Sequence, residues 1–136
     1  MKDKYKLALM DMAVRFGETS EATRLKVGAL LYKNDNIISL GVNGTRSGWL
    51  TNLCEDLNGH TTTEVRHAEI AALDKLRKSH ETSQGSVLFC SHECCLNCAV
   101  ELVDAGIIGV YFRHKYRSSE GTDYLKKNGL FVQELN

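Results

Sequence analysis

Hydrophobic residues along the chain fall into two spacings, one typical of helices and one typical of buried strands. In the segment YKLALMDMAVRF, Leu7, Met10 and Val14 recur at helical intervals and predict a helix that Gly17 can end. The apolar runs VGALLY and IISLGV flank KNDN and predict a β-hairpin. Residues 43–64, rich in Gly, Asn and Thr, predict a long loop, and a loop of that length usually carries function.

The rest of the chain alternates predicted helices and strands. HAEIAALDKLRK, LNCAVELVDAG and SSEGTDYLKKNG predict helices, the last two ending at Gly106 and Gly129, and SVLFC, IIGVYF and LFVQEL predict strands. The order α β β α β α β α β indicates an α/β fold with a mixed five-stranded sheet. We expect the first two strands to be antiparallel and strands joined through a helix to be parallel, with right-handed crossovers. Helices on both faces would give three layers, in a single domain over residues 1–136.

The composition excludes some classes of protein. Hydrophobic residues make up 43% and charged residues 25%, as in ordinary globular proteins. The 17 Lys and Arg balance the 17 Asp and Glu, which argues against a broad basic surface for a polynucleotide but allows a local pocket for one phosphate. No apolar run approaches the ~20 residues of a membrane span, so no membrane partner is expected. Asp11 interrupts the apolar patch at the start, which therefore predicts a helix and not a signal peptide.

The cysteines are unevenly distributed. They are Cys54, Cys90, Cys94, Cys95 and Cys98. An odd number, with four inside nine positions, is a poor disulfide framework and favours metal ligation in a reducing compartment. We therefore expect the protein to be cytoplasmic, in the host cytoplasm if the chain is viral.

Three of the potential metal ligands lie at the starts of predicted helices. Cys95 and Cys98 are three residues apart and share one helix face, where exposed N–H groups favour the thiolate. His67 begins the preceding helix, and helix starts gather at one end of a parallel α/β sheet. One imidazole and two thiolates leave the fourth zinc position open for water, as in catalytic sites. Glu69 is then expected to exchange protons beside the metal without binding it.

Other interpretations of these residues remain open. A His-x-Glu pair on a helix is usually a surface feature, and a Cys-x-x-Cys pair can be a redox motif, although the neighbouring cysteines make this less typical. A closed structural zinc site would need Cys94, Cys90 or His92 as fourth ligand. We expect Cys94 to point away, Cys90 to lie in a core strand, and His92 to line the pocket or lie nearby. Cys54 and His60 do not complete a second ligand set.

Several stretches resemble the zinc-dependent cytidine deaminase superfamily and, more narrowly, its deoxycytidylate (dCMP) deaminases. HAE and CLNC match the signature H-x-E…P-C-x-x-C, with Cys94 in place of the proline. The resemblance covers about residues 5–133, and Ala71 stands where the family often has Asn. The stretches that carry it are RLKVGALLYKNDNIISLGVNGTRSG, CEDLNG, EVRHAEIAAL, SHECCLNCAVELVDAGI and YRSSEGTDYLKKNG. It implies a three-layer, cytidine-deaminase-like fold.

The resemblance implies hydrolytic deamination of dCMP to dUMP and ammonia, with zinc on His67, Cys95 and Cys98 and with Glu69 as proton carrier. Further residues are expected to contact the substrate: Arg24, Lys26, Asn43, Ala68, Ser91, Tyr116 and Arg117. The cationic side chains among them are candidates for the phosphate. For each of these the alternative is an ordinary solvated surface residue.

The loop GVNGTRSGW is a candidate regulatory site. The resemblance implies activation by dCTP and inhibition by dTTP with Mg²⁺, in a homo-oligomer that we expect to be a hexamer. The loop residues proposed to bind the effector are Gly41, Asn43, Gly44, Arg46, Gly48 and Trp49. The alternative is that the loop is only a pocket wall.

Two competing functions belong to other classes. A deaminase of a base in tRNA or single-stranded DNA would want a basic rim and stacking aromatic residues, whereas the net charge is zero and the chain has one Trp. A zinc module without catalysis is disfavoured by Glu69 beside an open metal position. We therefore expect a nucleotide substrate and no polynucleotide partner.

Overall fold

A computed structural model describes residues 1–45, 53–61 and 65–136. In these residues the order of helices and strands is the predicted one, and the mixed five-stranded α/β sheet is confirmed. The elements are α1 (Asp3–Gly17), β1 (Gly28–Lys33), β2 (Asn36–Val42), α2 (Ala68–Leu76), β3 (Val87–His92), α3 (Leu96–Asp104), β4 (Gly109–His114), α4 (Glu120–Lys127) and β5 (Phe131–Glu134). None of the described helices is both long and apolar enough to cross a membrane.

The strands are arranged in the order β2-β1-β3-β4-β5. β1 is antiparallel to both β2 and β3, whereas β3, β4 and β5 are mutually parallel. β2 therefore runs in the same direction as β3, although β1 lies between them. The β1–β2 turn places Asn34 and Asp35 at φ 51° and 63°. This is the left-handed conformation that a two-residue hairpin turn requires and that Asn and Asp tolerate.

The sheet is covered by α1 on one face and by α2, α3 and α4 on the other. Because strand side chains alternate between the two faces, Leu30 and Phe89 pack with Met10 of α1, while Leu31 and Leu88 pack with the other three helices. The expected three layers are thus formed, with unequal outer layers. In the described residues, one face of the sheet carries α1 alone. The opposite face carries α4 together with α2 and α3, at whose starts the predicted metal ligands lie.

Some predicted details are wrong. The buried stripe of α1 does not contain Leu7, which is 39% exposed, because the helix is rotated so that Leu9, Met10 and Ala13 face the sheet. β4 begins at Gly109 and not at Ile107. The reason is local: Gly106 has φ 79°, and the N–H of Ile107 donates to Leu102 O, so Ile107 still belongs to the end of α3.

Close packing between β2 and α2 fixes where α2 begins. Gly41 lies so near α2 that a Cβ atom there would approach Ala68 O and Ala72 N to 2.5 Å. Real Cβ atoms essentially never come this close to backbone, so only glycine fits without a shift of the helix. The start of α2 therefore depends on the absence of a side chain at Gly41.

Gly41→Ala is expected to lower the free energy of unfolding by about 1–3 kcal/mol, because the overpacked neighbours are backbone atoms. The matched control is Gly44→Ala, since no atom lies within 4 Å of the position of its Cβ. That variant should stay within about 0.5 kcal/mol of wild type. Urea unfolding followed by circular dichroism measures both, and equal stabilities of the two variants would contradict the close contact.

Candidate active site

The site is built where the first residues of α2 and α3 meet. His67 is the N-cap of α2 and Cys95 is the N-cap of α3, and neither side chain makes a capping hydrogen bond. Cys98 lies in the first turn of α3, so its sulfur returns to the same place as that of Cys95. His67 Nδ1 is 3.2 Å from Cys98 Sγ and 3.6 Å from Cys95 Sγ. The ligand atoms of all three side chains lie within 4.8 Å of one another.

The protonation of these side chains is coupled. Hydrogen bonds from Cys98 and His67 lower the pKa of Cys95 to about 4. The hydrogen bond to Cys95, followed by burial, raises the pKa of Cys98, and the bond to Cys95 likewise raises the pKa of His67. A divalent cation among the three atoms would favour the thiolate form of both sulfurs.

The donor set fits a zinc ion. One imidazole nitrogen and two cysteine sulfurs are zinc ligands, and three protein ligands are the number typical of catalytic zinc sites. In the described part of the chain, His67, Cys95 and Cys98 are the one group of three His, Cys, Asp or Glu side chains close enough to share an ion. Cys90 is fully buried in β3, and Cys94 is 3% exposed within the core. No fourth protein ligand for a closed structural site is found among the described residues.

Glu69 lies next to the cluster in the first turn of α2. It is 4% exposed and borders the same cavity as His67 and Cys95. Burial raises the pKa of the Glu69 carboxyl, and hydrogen bonds from its own N–H and from the Cys98 thiol only partly oppose this shift. A carboxyl group with a raised pKa, beside a metal-binding cluster, is suited to exchanging protons near neutral pH.

A cavity of ≈ 460 Å³ opens above the cluster. Its walls come from the loops that leave the carboxyl ends of β2, β3 and β4, and from the segment that enters the antiparallel β1 at the same edge of the sheet. Five of the predicted substrate residues line it, namely Arg24, Asn43, Ala68, Tyr116 and Arg117. The other two do not: Lys26 is exposed outside the lining, and Ser91 is 2% exposed beneath it.

Asn43 and Ser91 are engaged with the backbone around the cavity. The Asn43 side chain accepts a hydrogen bond from Val27 N–H (2.9 Å) and donates one to Leu25 O (2.7 Å). Ser91 Oγ accepts from Gly28 N–H at 3.0 Å and contacts the ring of His92 at 2.8 Å. Both residues thus hold the segment that leads from Arg24 into β1.

The sequence did not single out two carboxylates in the cavity lining. Glu55 accepts hydrogen bonds from Thr23 N–H, Thr23 Oγ1 and Arg24 N–H at 3.0–3.3 Å, and so fixes the backbone that carries the Arg24 side chain. Desolvation acts against ionisation of Glu55, but these hydrogen bonds prevail and lower its pKa. Glu93, beside the cysteine pair, accepts a hydrogen bond from Tyr116 N–H at 3.0 Å. Glu55 lay in the quoted stretch CEDLNG and Glu93 in SHECC, but neither stretch indicated a partner.

His92 also borders the cavity, as the sequence had allowed. Its ring centroid lies 5.1 Å from that of His114 at the end of the neighbouring strand. Burial, with the charge of His114, lowers the pKa of His92, so the ring is neutral at neutral pH. It is placed to form a wall of the pocket and takes no part in the metal-binding cluster.

The predicted regulatory residues divide into three groups. Gly41 is buried against α2, where its backbone contacts leave no room for a ligand on that side. Gly44 pairs with Arg66 through two backbone hydrogen bonds of 3.1 and 2.9 Å, and Asn43 faces the cavity. Arg46, Gly48 and Trp49 lie outside the described residues.

Comparison with solved structures identifies close relatives of this fold. The chain is similar to the dCMP deaminase of the cyanophage S-TIM5, whose crystal structure is in complex with dCMP and dUMP. The sequence identity is 43%, the TM-score is 0.96, and the match covers 99% of each chain. The expected cytidine-deaminase-like architecture is thereby confirmed.

Sequence comparison leads to the same family. The chain is 28% identical to the deoxycytidylate deaminase of Saccharomyces cerevisiae over 147 residues, and 28% identical to ComE operon protein 2 of Bacillus subtilis over 122 residues. These matches cover 100% and 85% of this chain, which spans only 46% and 63% of the two relatives. The model of the cytidine and deoxycytidylate deaminase zinc-binding region matches residues 3–114. With its imidazole and thiol donors gathered at one cavity, this chain belongs to the cytidine and deoxycytidylate deaminase family.

Proposed function

We propose that the protein hydrolyses dCMP to dUMP and ammonia, as a single deaminase domain. The observation that carries the proposal is the buried carboxyl group of Glu69 beside the His67, Cys95 and Cys98 cluster, at a cavity with two arginines in its wall. The likeness to a phage dCMP deaminase in complex with dCMP and dUMP supports the substrate. A volume of ≈ 460 Å³ also lies in the usual range for small-molecule sites.

The three clustered side chains would hold zinc. When bound, the ion acts as a Lewis acid and makes water nucleophilic near neutral pH. The two cysteine ligands stand at the N-terminal end of α3, whose exposed N–H groups stabilise thiolate. The chain's own contribution is thus to keep three donor atoms together before the ion binds.

Glu69 would move the protons of the reaction. A carboxylate whose pKa is raised by burial accepts a proton more readily than an exposed one and can still pass that proton on. In this role the Glu69 carboxylate would take a proton from the attacking water and give it to N3 of the cytosine while the water oxygen bonds to C4. It would then pass the hydroxyl proton of that adduct to the amino group, so that the C4–N bond breaks and ammonia leaves. A hydrogen bond from its own backbone N–H, in the first turn of α2, keeps the carboxyl group beside the cluster.

The wall residues would bind the nucleotide. Arg24 and Arg117 border the cavity and are the cations suited to the 5′-phosphate. Lys26 lies outside this lining, which leaves it the weakest of the three basic candidates. The N–H of Ala68, in the first turn of α2, has no acceptor within the helix and can donate to the base. The carbonyl near Ser91 is the corresponding candidate for the amino group, and Asn43 for the deoxyribose.

The proposal includes regulation of the enzyme by nucleotides. Activation by dCTP, inhibition by dTTP with Mg²⁺, and a hexameric assembly in the cytoplasm rest on the family resemblance. Among described residues, Asn43 offers the one physical link, because its amide ties the start of the loop to Leu25 and Val27 beside the substrate cavity. Gly41 offers an effector little room, because α2 packs directly against it.

Loss of a single ligand should remove the zinc. Purified wild type is expected to contain one zinc per chain, and His67→Ala, Cys95→Ser and Cys98→Ser far less after dialysis against a chelator, because two remaining ligands hold the ion weakly. Cys94→Ala is the matched control, since Cys94 is adjacent but packs in the core. Metal analysis by mass spectrometry decides the matter, and full zinc retention in the three variants would refute the assignment.

Deamination is tested by the release of ammonia from dCMP, deoxycytidine, dCTP and a cytosine-containing single-stranded oligonucleotide. We expect dCMP to be preferred and Glu69→Gln to lower kcat by about 10²–10⁴-fold, because the amide cannot cycle a proton. The zinc content and the dCMP affinity of this variant should remain normal. Glu101→Gln, an exposed residue of α3, serves as control.

Each other outcome of this assay has a clear meaning. Preference for the oligonucleotide would favour a polynucleotide deaminase, and no ammonia from zinc-loaded protein with any substrate would favour a non-catalytic zinc module. Near-normal turnover by Glu69→Gln would refute the role of Glu69 even if dCMP is the substrate.

Effector binding should change the dCMP saturation curve. We expect dCTP to lower and dTTP with Mg²⁺ to raise the dCMP concentration at half-saturation, by the 5- to 150-fold that corresponds to a typical coupling of about 1–3 kcal/mol. Arg46→Ala should reduce both effects, since it removes a cation suited to phosphate. A hyperbolic wild-type curve that neither nucleotide moves would show that the loop is not regulatory.

A further inference from the structure

Two of the proposed nucleotide contacts lie on a segment with little secondary structure of its own. β4 ends at His114 and α4 begins at Glu120, and Tyr116 and Arg117 face the cavity from the chain between them. We call residues 116–122 the arm. Exposed connections of this kind are usually mobile unless side chains tie them down. The position of Arg117 therefore depends on what holds the arm.

Glu93 holds the arm at both ends. Its Oε1 accepts a hydrogen bond from the backbone N–H of Tyr116 at 3.0 Å, and its Oε2 accepts one from the hydroxyl of Thr122. Glu93 is only 9% exposed, so water competes little for these bonds. A single side chain thus joins the first and last residues of the arm.

Glu93 is itself fixed relative to the proposed metal ligands. Its N–H donates to His114 O at 2.8 Å, which continues the pairing of β3 and β4 beyond the strands. On the other side of the arm, a Cβ atom at Gly121 would lie 2.4 Å from Cys94 O, so α4 begins in direct contact with the backbone before Cys95. The arm and the cysteine pair therefore form one packed unit.

The location of this carboxylate is unfavourable for the proposed substrate. Glu93 borders the cavity that would receive a phosphate, and like charges repel most where water is excluded. A neutral side chain would avoid the repulsion. A carboxylate is nevertheless useful there, because both of its oxygen atoms accept hydrogen bonds from the arm.

We propose that Glu93 is a positioning residue that sets the arm so that Arg117 meets the 5′-phosphate of the nucleotide. The inference rests on the proposed dCMP deaminase function and deepens it. It predicts that Glu93 controls substrate affinity through Arg117, without contributing to zinc binding or to the proton transfers of Glu69.

Kinetics with dCMP test this role. Glu93→Ala should raise KM about 10-fold, leave kcat within about threefold and retain one zinc per chain. Glu93→Gln should keep KM within about threefold of wild type, because the amide oxygen can accept from Tyr116 N–H and the amide nitrogen can donate to Thr122 Oγ1. Glu120→Ala removes an exposed carboxylate from the same arm and should leave KM unchanged.

A double-mutant cycle with Arg117→Ala separates positioning from a direct effect. If Glu93 acts through Arg117, adding Glu93→Ala to Arg117→Ala should raise KM by less than about twofold, whereas independent effects would multiply. Multiplying effects, an unchanged KM in Glu93→Ala, or loss of zinc would each overturn the proposal. An inactive wild-type protein would instead refute the proposed function itself.

A milder variant covers the case in which Glu93→Ala fails to fold. Thr122→Val removes one of the two hydrogen bonds with little change in volume and should raise KM about threefold, while Thr122→Ser should not. Equal KM values for the two Thr122 variants would also refute the role of the hydrogen bonds between Glu93 and the arm.

Discussion

The site depends on two helices beginning at the same point. α2 and α3 present His67 and Cys95 at their N-cap positions, where Ser, Thr, Asp or Asn would ordinarily satisfy a backbone N–H. Forgoing such a cap costs about 0.5–2 kcal/mol for each helix. Packing supplies the compensation, since β2 approaches α2 through Gly41 and α4 approaches the Cys94 backbone through Gly121. Metal binding would add to it, because three donor atoms are held within 4.8 Å.

The sequence predicted what periodicity and short-range spacing can encode. The nine elements follow from hydrophobic patterns and glycine positions, and the clustering of His67 with the two cysteines follows from placing all three at helix starts. The polar scaffold of the cavity was not predictable in this way. Glu55 is hydrogen-bonded to Thr23, which is 32 residues away in sequence, and Glu93 is hydrogen-bonded to Thr122, which is 29 residues away. Hydrogen bonds between residues far apart in sequence leave no periodic signal. From the sequence alone, Lys26 was therefore as good a candidate for phosphate binding as Arg24.

Three carboxyl groups of the described residues border the cavity, although the proposed substrate is an anion. The local surroundings separate them into two kinds. Glu55 and Glu93 have their oxygens occupied by backbone and hydroxyl donors, and each holds a segment that carries an arginine. Glu69 lies deeper, and burial raises its pKa. The same functional group thus fixes an arginine-bearing segment at two positions, and at the third it has the raised pKa that the proposed proton transfer needs.

The two arginines at the cavity are the groups that would recognise the phosphate. Arg24 and Arg117 enter the cavity from opposite ends of the chain, one before β1 and the other after β4. Neither side chain needs an ion pair with the carboxylate that fixes its segment, because Glu55 and Glu93 accept hydrogen bonds from main-chain N–H groups and hydroxyls. The guanidinium groups could then use their donors for the proposed phosphate. A carboxylate that accepts hydrogen bonds from the backbone can orient an arginine without neutralising its charge. Acidic residues in the cavity wall are therefore compatible with an anionic substrate.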